Sequence, residues 1–404
     1  MWRPRAGVAV FPLALLLSCN LLQRAPTLEA RRAAFEPRNH AWTFQHMSEL
    51  FPTRTVARGG TTGPLPRGRE LPDHISAAPG DAAVDLDRFF ERNQSRAMLV
   101  LHRGTLVFER YAEGADATTR FTSWSVAKSV TSTLIGLAIG DGYIQSVHDR
   151  LARYIPELAG TAYADVTIEQ ALQMSSGVAF SEVYGDGGSD VFDFLIASMM
   201  TNGTRANALA ASYPRRHPPG TVFNYNTAET QVLGWLVRSA TGRSPGRYLQ
   251  EKLWEPLGME HDASWVLDRE GPDGMEMTGC CLNMSLRDWA RFGQLMAQDG
   301  IWSTQRILPA GWVAAATIPG APHVAFGTVE PPSDVGYQYQ WWAQPDGTFA
   351  AEGVYGQFIY VNAKSQVVIA KASTWPQAWD SDLARDAFAT FHAISVFLDQ
   401  QPAS

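Results

Sequence analysis

The chain has 404 residues, 45% of them hydrophobic, and a formal net charge of −7. That suits one large globular domain, or a domain with an insertion, able to bury a substantial core. Mild acidity without a basic run gives no support for a nucleic-acid partner. The nine histidines show no metal-ligand spacing, and there is no Cys-x-x-Cys pair or Gly-rich phosphate loop, so neither a metal nor another cofactor is indicated.

In chain order, Arg3 and Arg5 precede an apolar stretch over residues 6–17, too short for a comfortable membrane span. Leu16-Leu17-Ser18-Cys19 then reads as a lipoprotein-type signal, residues 1–19, with Cys19 as the lipidated residue. Ordinary secretion and an uncleaved anchor are the alternatives. Asn20 in place of an aspartate points to the outer membrane, on its periplasmic face, with a lipid anchor as the sole membrane contact. Residues 20–36 read as a tether. Residues 37–56 carry Trp42, Phe44 and Phe51, which suit packing on the main body, and residues 57–82 are a Gly/Pro-rich linker or surface wrap. The main domain is expected over residues 84–400.

Met98–Leu101 and Leu106–Phe108, separated by Arg103-Gly104, predict a hairpin. Ser125-Val126-Ala127-Lys128 follows, with Val130, Leu134, Leu137 and Ala138 at helical spacing, so a helix starts here. Ser125 and Lys128 then share one face, with Cβ atoms roughly 5–6 Å apart. A serine is a poor nucleophile until a neighbour takes its proton, and an amine can do so when desolvation lowers its pKa. The chain has four lysines, and only Lys128 has a serine three positions before it. Further helices are predicted from Ile168, over 228–242, over 286–298 and over 383–398. Strands return around Trp341-Trp342, over 357–361 and over 367–370. Strands at both ends with helices between them predict one antiparallel sheet with a helical insertion, the serine helix lying between the two. Cys280 and Cys281 are adjacent and read as buried free thiols, since an adjacent pair closes a strained ring.

These motifs have a recognisable order. Ser125-Val126-Ala127-Lys128, Gln173-Met174-Ser175-Ser176-Gly177, Phe223-Asn224-Tyr225-Asn226-Thr227 and Trp254-Glu255-Pro256-Leu257-Gly258-Met259 together resemble the serine β-lactamase-like superfamily, in its class C and esterase branch. Trp42-Thr43-Phe44, Gln340-Trp341-Trp342, Tyr355-Gly356-Gln357 and Thr374-Trp375-Pro376 resemble the 6-aminohexanoate-dimer hydrolases within it. The resemblance implies a mixed α/β (α+β) transpeptidase-like fold, with an antiparallel sheet flanked by helices and a mainly helical subdomain. It implies a serine hydrolase that cleaves an amide or ester of a small molecule through an acyl-enzyme. Ser125 would be the nucleophile, Lys128 its partner, and Tyr225 a base or relay. The amides of Ser125 and of Val354, after Gly353, would form the oxyanion hole. Tyr184, Asn226, Glu352 and Gly353 would meet substrate. Trp341 and Trp342 read as strand packing that could line the pocket.

Two departures bear on specificity. Tyr225-Asn226-Thr227 stands where Tyr-x-Asn is common, and Ala351-Glu352-Gly353 stands where Lys-Thr-Gly or His-x-Gly is expected. The cation that meets a β-lactam carboxylate is missing, and an acid stands nearby, which disfavours a carboxylate-bearing substrate. A β-lactamase or D-Ala-D-Ala-type peptidase is the enzyme alternative. A non-catalytic penicillin-binding-like surface protein is the alternative of another class. The oligomeric state is not legible.

Overall fold

The structure is a computed structural model that describes residues 26–60, 63–76, 83–184, 188–201, 205–329 and 333–401. Cys19 and the expected signal lie outside the described residues. The elements used below are α1 (Leu28–Ala34), β1 (Thr53–Val56), β2 (Ser95–His102), β3 (Thr105–Tyr111), β4 (Arg120–Thr122), α2 (Val126–Gly140), α3 (Thr227–Thr241), β5 (Ala263–Val266), β6 (Leu282–Ser285), α4 (Leu286–Ala297), β7 (Gly336–Gln338), β8 (Trp341–Ala343), β9 (Phe349–Gly353), β10 (Gln357–Asn362), β11 (Val367–Ser373) and α5 (Ser381–Asp399).

A seven-stranded antiparallel sheet runs in the order β7-β8-β9-β10-β11-β2-β3. The β2–β3 hairpin turns at Arg103-Gly104, both at positive φ (50° and 77°), the geometry that matches strand twist in a two-residue turn. Helices cover both faces. The α2 and α4 side holds the larger core. Here Gly293 lets α4 approach β11 and β10, since a Cβ there would sit 2.5 Å from Val368. On the other face Phe391, Ile394 and Leu398 of α5 pack with Phe358, Tyr360 and Ile369. A smaller sheet, β1-β5-β6-β4, stands beside the start of α2. The predicted sheet with helices around it is therefore the observed one.

Within the stretch read as a tether, Leu28–Ala34 form α1. Thr27 caps α1, and Arg31, 3% exposed, donates to the Leu50 carbonyl at 2.9 Å and to that of Met200 at 2.7 Å. A guanidinium with two buried acceptors fixes a short helix that has little apolar surface of its own. Phe44 and Phe51 are buried as expected, whereas Trp42 is exposed and stacks on His46. Residues 66–71 of the linker lie along β3, where the Gly68 and Leu71 amides donate to the Leu106 and Val107 carbonyls, so they cover the sheet's edge.

Cys280 and Cys281 are joined by a disulfide, which corrects the expectation of free thiols. Cys281 adopts φ 68°, a turn that brings the two sulfurs face to face. Trp265 Nε1 holds that turn by donating to the Cys280 carbonyl at 2.9 Å.

Candidate active site

The site forms where the larger core meets the small sheet. Strand β4 delivers the chain to Trp124, which holds a left-handed backbone (φ 44°) unusual for a bulky residue. Its ring is gripped edge-on by Phe44 (5.3 Å) and Phe35 (5.9 Å) from the N-terminal segment and tilted against Tyr355 (5.2 Å). The Thr122 amide donates to the Phe44 carbonyl at 2.8 Å. Residues ahead of the main domain thus brace the turn that leads into α2. Ser125 is the residue before α2, and its hydroxyl makes no cap hydrogen bond, so it stays available to a side chain.

Lys128 lies one turn on, 1% exposed. Its Nζ donates to Ser125 Oγ at 2.8 Å, Thr227 Oγ1 at 2.9 Å and the Gly279 carbonyl at 2.9 Å. Burial pulls its pKa down to about 8, and the Glu182 charge opposes that fall. The Tyr225 ring stands 4.9 Å from Nζ, measured to the ring centre. Tyr225 stacks on Trp342 (5.7 Å, 23°) and meets the edge of Tyr337 at 6.1 Å. Burial above all, with Tyr225 and the nearby carboxylates, pushes the Tyr337 phenol well above its usual range.

The predicted site residues divide. Ser125, Lys128 and Tyr225 come together. Gly353 passes directly over the start of α2, since a Cβ there would sit 3.1 Å from the Ser125 amide nitrogen and 2.7 Å from the Ser123 carbonyl. This close approach needs glycine. The Val354 amide follows it, and no turn or cap hydrogen bond among the described residues uses either that amide or the amide of Ser125. Ala351 is fully buried in the core, and Glu352 on the same strand is half-buried. Tyr184 donates its hydroxyl to Glu182 at 2.7 Å. Asn226 does not face the site: it is fully buried, and its side chain caps α3 by accepting the Glu229 amide at 3.1 Å. A helix start needs that cap, which takes the side chain away from substrate. The tryptophan pair splits, Trp341 lying in the core beside Phe292 and Trp342 against Tyr225.

Two residues acquire contacts that the sequence reading had not assigned. Glu182, two residues before Tyr184, accepts the Thr227 amide at 2.6 Å and the Thr227 hydroxyl at 2.7 Å. Thr227, read without a role, is the second polar contact of Lys128 Nζ. One signal was present, because Thr227 stands two residues after Tyr225, where the related pattern carries asparagine. Among the described residues no group of His, Cys, Asp and Glu is placed to hold a metal ion.

Comparison with known proteins joins this geometry to a family. Residues 86–392 match the family model described as Beta-lactamase. The chain belongs to that family. It is similar to 6-aminohexanoate-dimer hydrolase from Paenarthrobacter ureafaciens, at 30% identity over 366 residues, covering 87% of this chain and 88% of the relative. A solved structure of a candidate 6-aminohexanoate-dimer hydrolase from Bacillus anthracis superposes with a TM-score of 0.78 at 26% identity, over 90% of this chain and 96% of the other. A family VIII carboxylesterase shares the fold at 18% identity, with a TM-score of 0.59 over 80% of this chain and 99% of the other. The chain is a serine hydrolase of the amidase and esterase kind.

Proposed function

We propose that Ser125 is the nucleophile, Lys128 its base and Tyr225 the proton donor to the leaving group. The observation that carries this is the buried Lys128 amine, 2.8 Å from Ser125 Oγ. Neutral Lys128 takes the Oγ proton as Oγ bonds to the substrate carbonyl carbon. The carbonyl oxygen becomes an oxyanion, held by the Ser125 and Val354 amides. The intermediate collapses by breaking the C–N or C–O bond. Tyr225 gives its proton to the departing atom and recovers one from the Lys128 ammonium. Water then attacks the acyl-enzyme, loses a proton to Lys128, and the returning proton restores the Ser125 hydroxyl.

The substrate class is a small linear amide or ester that is neutral or carries an amino group, in line with the name of the Paenarthrobacter relative. Ala351 is buried and supplies no cation, and Glu352 follows it, an arrangement that repels a substrate carboxylate. In this reading Tyr184, Trp342 and Gly353 border the substrate. Purified protein is expected to cleave p-nitrophenyl esters readily, 6-aminohexanoate dimer more slowly and nitrocefin poorly. Nitrocefin turnover that rivals ester turnover overturns the substrate class in favour of a β-lactamase. A fluorophosphonate adduct on a residue other than Ser125 overturns the mechanism.

We also propose that this is an exported lipoprotein modified at Cys19, because a short apolar stretch ends in Leu16-Leu17-Ser18-Cys19. Cys19→Ala is expected to release the protein to the soluble fraction or to block its processing, and unchanged membrane association in that variant refutes lipidation.

A further inference from the structure

Lys128 Nζ meets three acceptors, but a base has only two N–H bonds and one lone pair. The lone pair must face the Ser125 hydroxyl, so the two N–H bonds must point at Thr227 Oγ1 and the Gly279 carbonyl. The carbonyl can only accept. Thr227 is different, because a hydroxyl can also donate. If it donated to Nζ, it would occupy the lone pair that the mechanism needs.

Glu182 settles which way that hydroxyl points. Its Oε1 accepts the Thr227 hydroxyl at 2.7 Å and the Tyr184 hydroxyl at 2.7 Å, while its Oε2 accepts the Thr227 amide at 2.6 Å. Three donors converge on one carboxylate, which in its ionised form has nothing to give. The Thr227 hydrogen is thereby committed to Glu182, and its lone pairs are turned toward Lys128. We propose that Glu182 is a positioning residue that acts through Thr227, fixing the hydrogen-bond direction at Lys128 so that its lone pair faces Ser125. This rests on the assignment of Ser125 and Lys128 above. Tyr184 belongs to the same unit, since its hydroxyl helps to hold the carboxylate in place.

The ionisable groups around Lys128 are Glu182, Tyr184 and Tyr225, with Tyr355 next to Tyr184, and Tyr337 and Glu352 farther out. Of these, Glu182 is the charge that raises the Lys128 pKa against burial. Its removal therefore has two effects of opposite sign. Lys128 loses its proton at lower pH, which leaves a larger fraction of it neutral at neutral pH. The Thr227 hydroxyl is released, which blocks that base.

The test is kcat/KM on a p-nitrophenyl ester across pH, for Glu182→Gln, Thr227→Val, Thr227→Ser and Tyr184→Phe. In Glu182→Gln the rising limb should move to lower pH while the plateau falls by about 10- to 100-fold, the scale of one lost charge-assisted hydrogen bond. Thr227→Val should lose a similar factor, and Thr227→Ser should recover most of it. Tyr184→Phe should lose less than either. Fluorophosphonate should still label Ser125 in every variant, more slowly. Glu182→Gln with a shifted limb and an intact plateau refutes the proposal, because the carboxylate then acts by charge alone. A fallen plateau with an unmoved limb and a lowered melting temperature also refutes it, because the residue is then only structural. Equal rates for Thr227→Ser and Thr227→Val refute it independently of any Glu182 variant. Label on another residue in the unsubstituted protein refutes instead the underlying assignment of Ser125.

Discussion

Two lysines are fully buried in this molecule, on opposite faces of the same sheet, and their surroundings differ completely. Lys128, on the α2 side, has three hydrogen-bond acceptors and a carboxylate one residue away through Thr227. Lys371, on β11, faces the α5 side. Its amine donates to Ser373 Oγ and lies 5.9, 5.7 and 5.4 Å from the ring centres of Phe89, Phe358 and Trp375. Burial lowers the proton affinity of both, with Asp386 opposing the fall at Lys371. A depressed pKa is thus common to both sites and does not by itself make a base. What distinguishes Lys128 is the Ser125 hydroxyl within reach, with further acceptors that orient its N–H bonds.

The largest expected effect tests the difference directly. Ser125→Ala should abolish acylation, and Lys128→Ala should lower turnover by about 10²-fold or more, the scale of a lost proton-transfer group. Lys371→Met should keep turnover and melt at or above the temperature of the parent protein, because replacing a buried charge by an apolar side chain is often neutral or stabilising. Activity assays and thermal melts of the three variants check this, and a loss of turnover in Lys371→Met would erase the distinction. Tyr225→Phe comes next, with a fall of about 10²-fold for amides and a smaller one for aryl esters, whose leaving groups need less proton donation.

A third effect is a pH dependence with a definite sign. The rate should rise through about pH 8 as Lys128 becomes neutral, with the same midpoint in Lys371→Met. Stability should move the same way. Between the folded and unfolded pKa values of each lysine the unfolded chain binds more protons, so unfolding becomes harder as pH rises from about 8 toward the ordinary lysine value of about 10.5. Denaturation midpoints measured across that window check it. The smallest effect is at the pocket, where Glu352→Gln should raise turnover of carboxylate-bearing esters and leave neutral esters little changed. Unaltered discrimination in that variant would remove Glu352 from the account of specificity.

Much of this site was legible in the sequence because its chemistry sits in short local motifs. Ser125 and Lys128 are one helical turn apart, and Tyr225 stands in a motif of its own. The β2–β3 hairpin, α3 and α4 were visible for the same reason, since periodicity and turn residues are local properties. What stayed hidden depends on chain segments far apart in sequence. Nothing near Glu182 announces that its carboxylate meets Thr227, and nothing in Phe35 or Phe44 announces Trp124. Asn226 misled because the residue type suits both a cap and a substrate contact, and the helix start claimed it. The Cys280–Cys281 bond misled because the general rule about adjacent cysteines takes no account of a turn held by Trp265.

The pairing of β2 with β11 has a consequence for how the molecule comes into being. When the chain folds, β2 can pair at once with its sequence neighbour β3, but its other edge stays open until β11, the last strand of the sheet, reaches it. Gly353, which lies over the Ser125 amide, also arrives late. A fold dominated by such distant pairings assembles slowly and exposes strand edges while it waits. The helix that follows Ser125 can therefore form long before Gly353 reaches it. On the proposed assignment, the chain has its serine and lysine early but becomes a competent hydrolase only when the far end of the sheet closes.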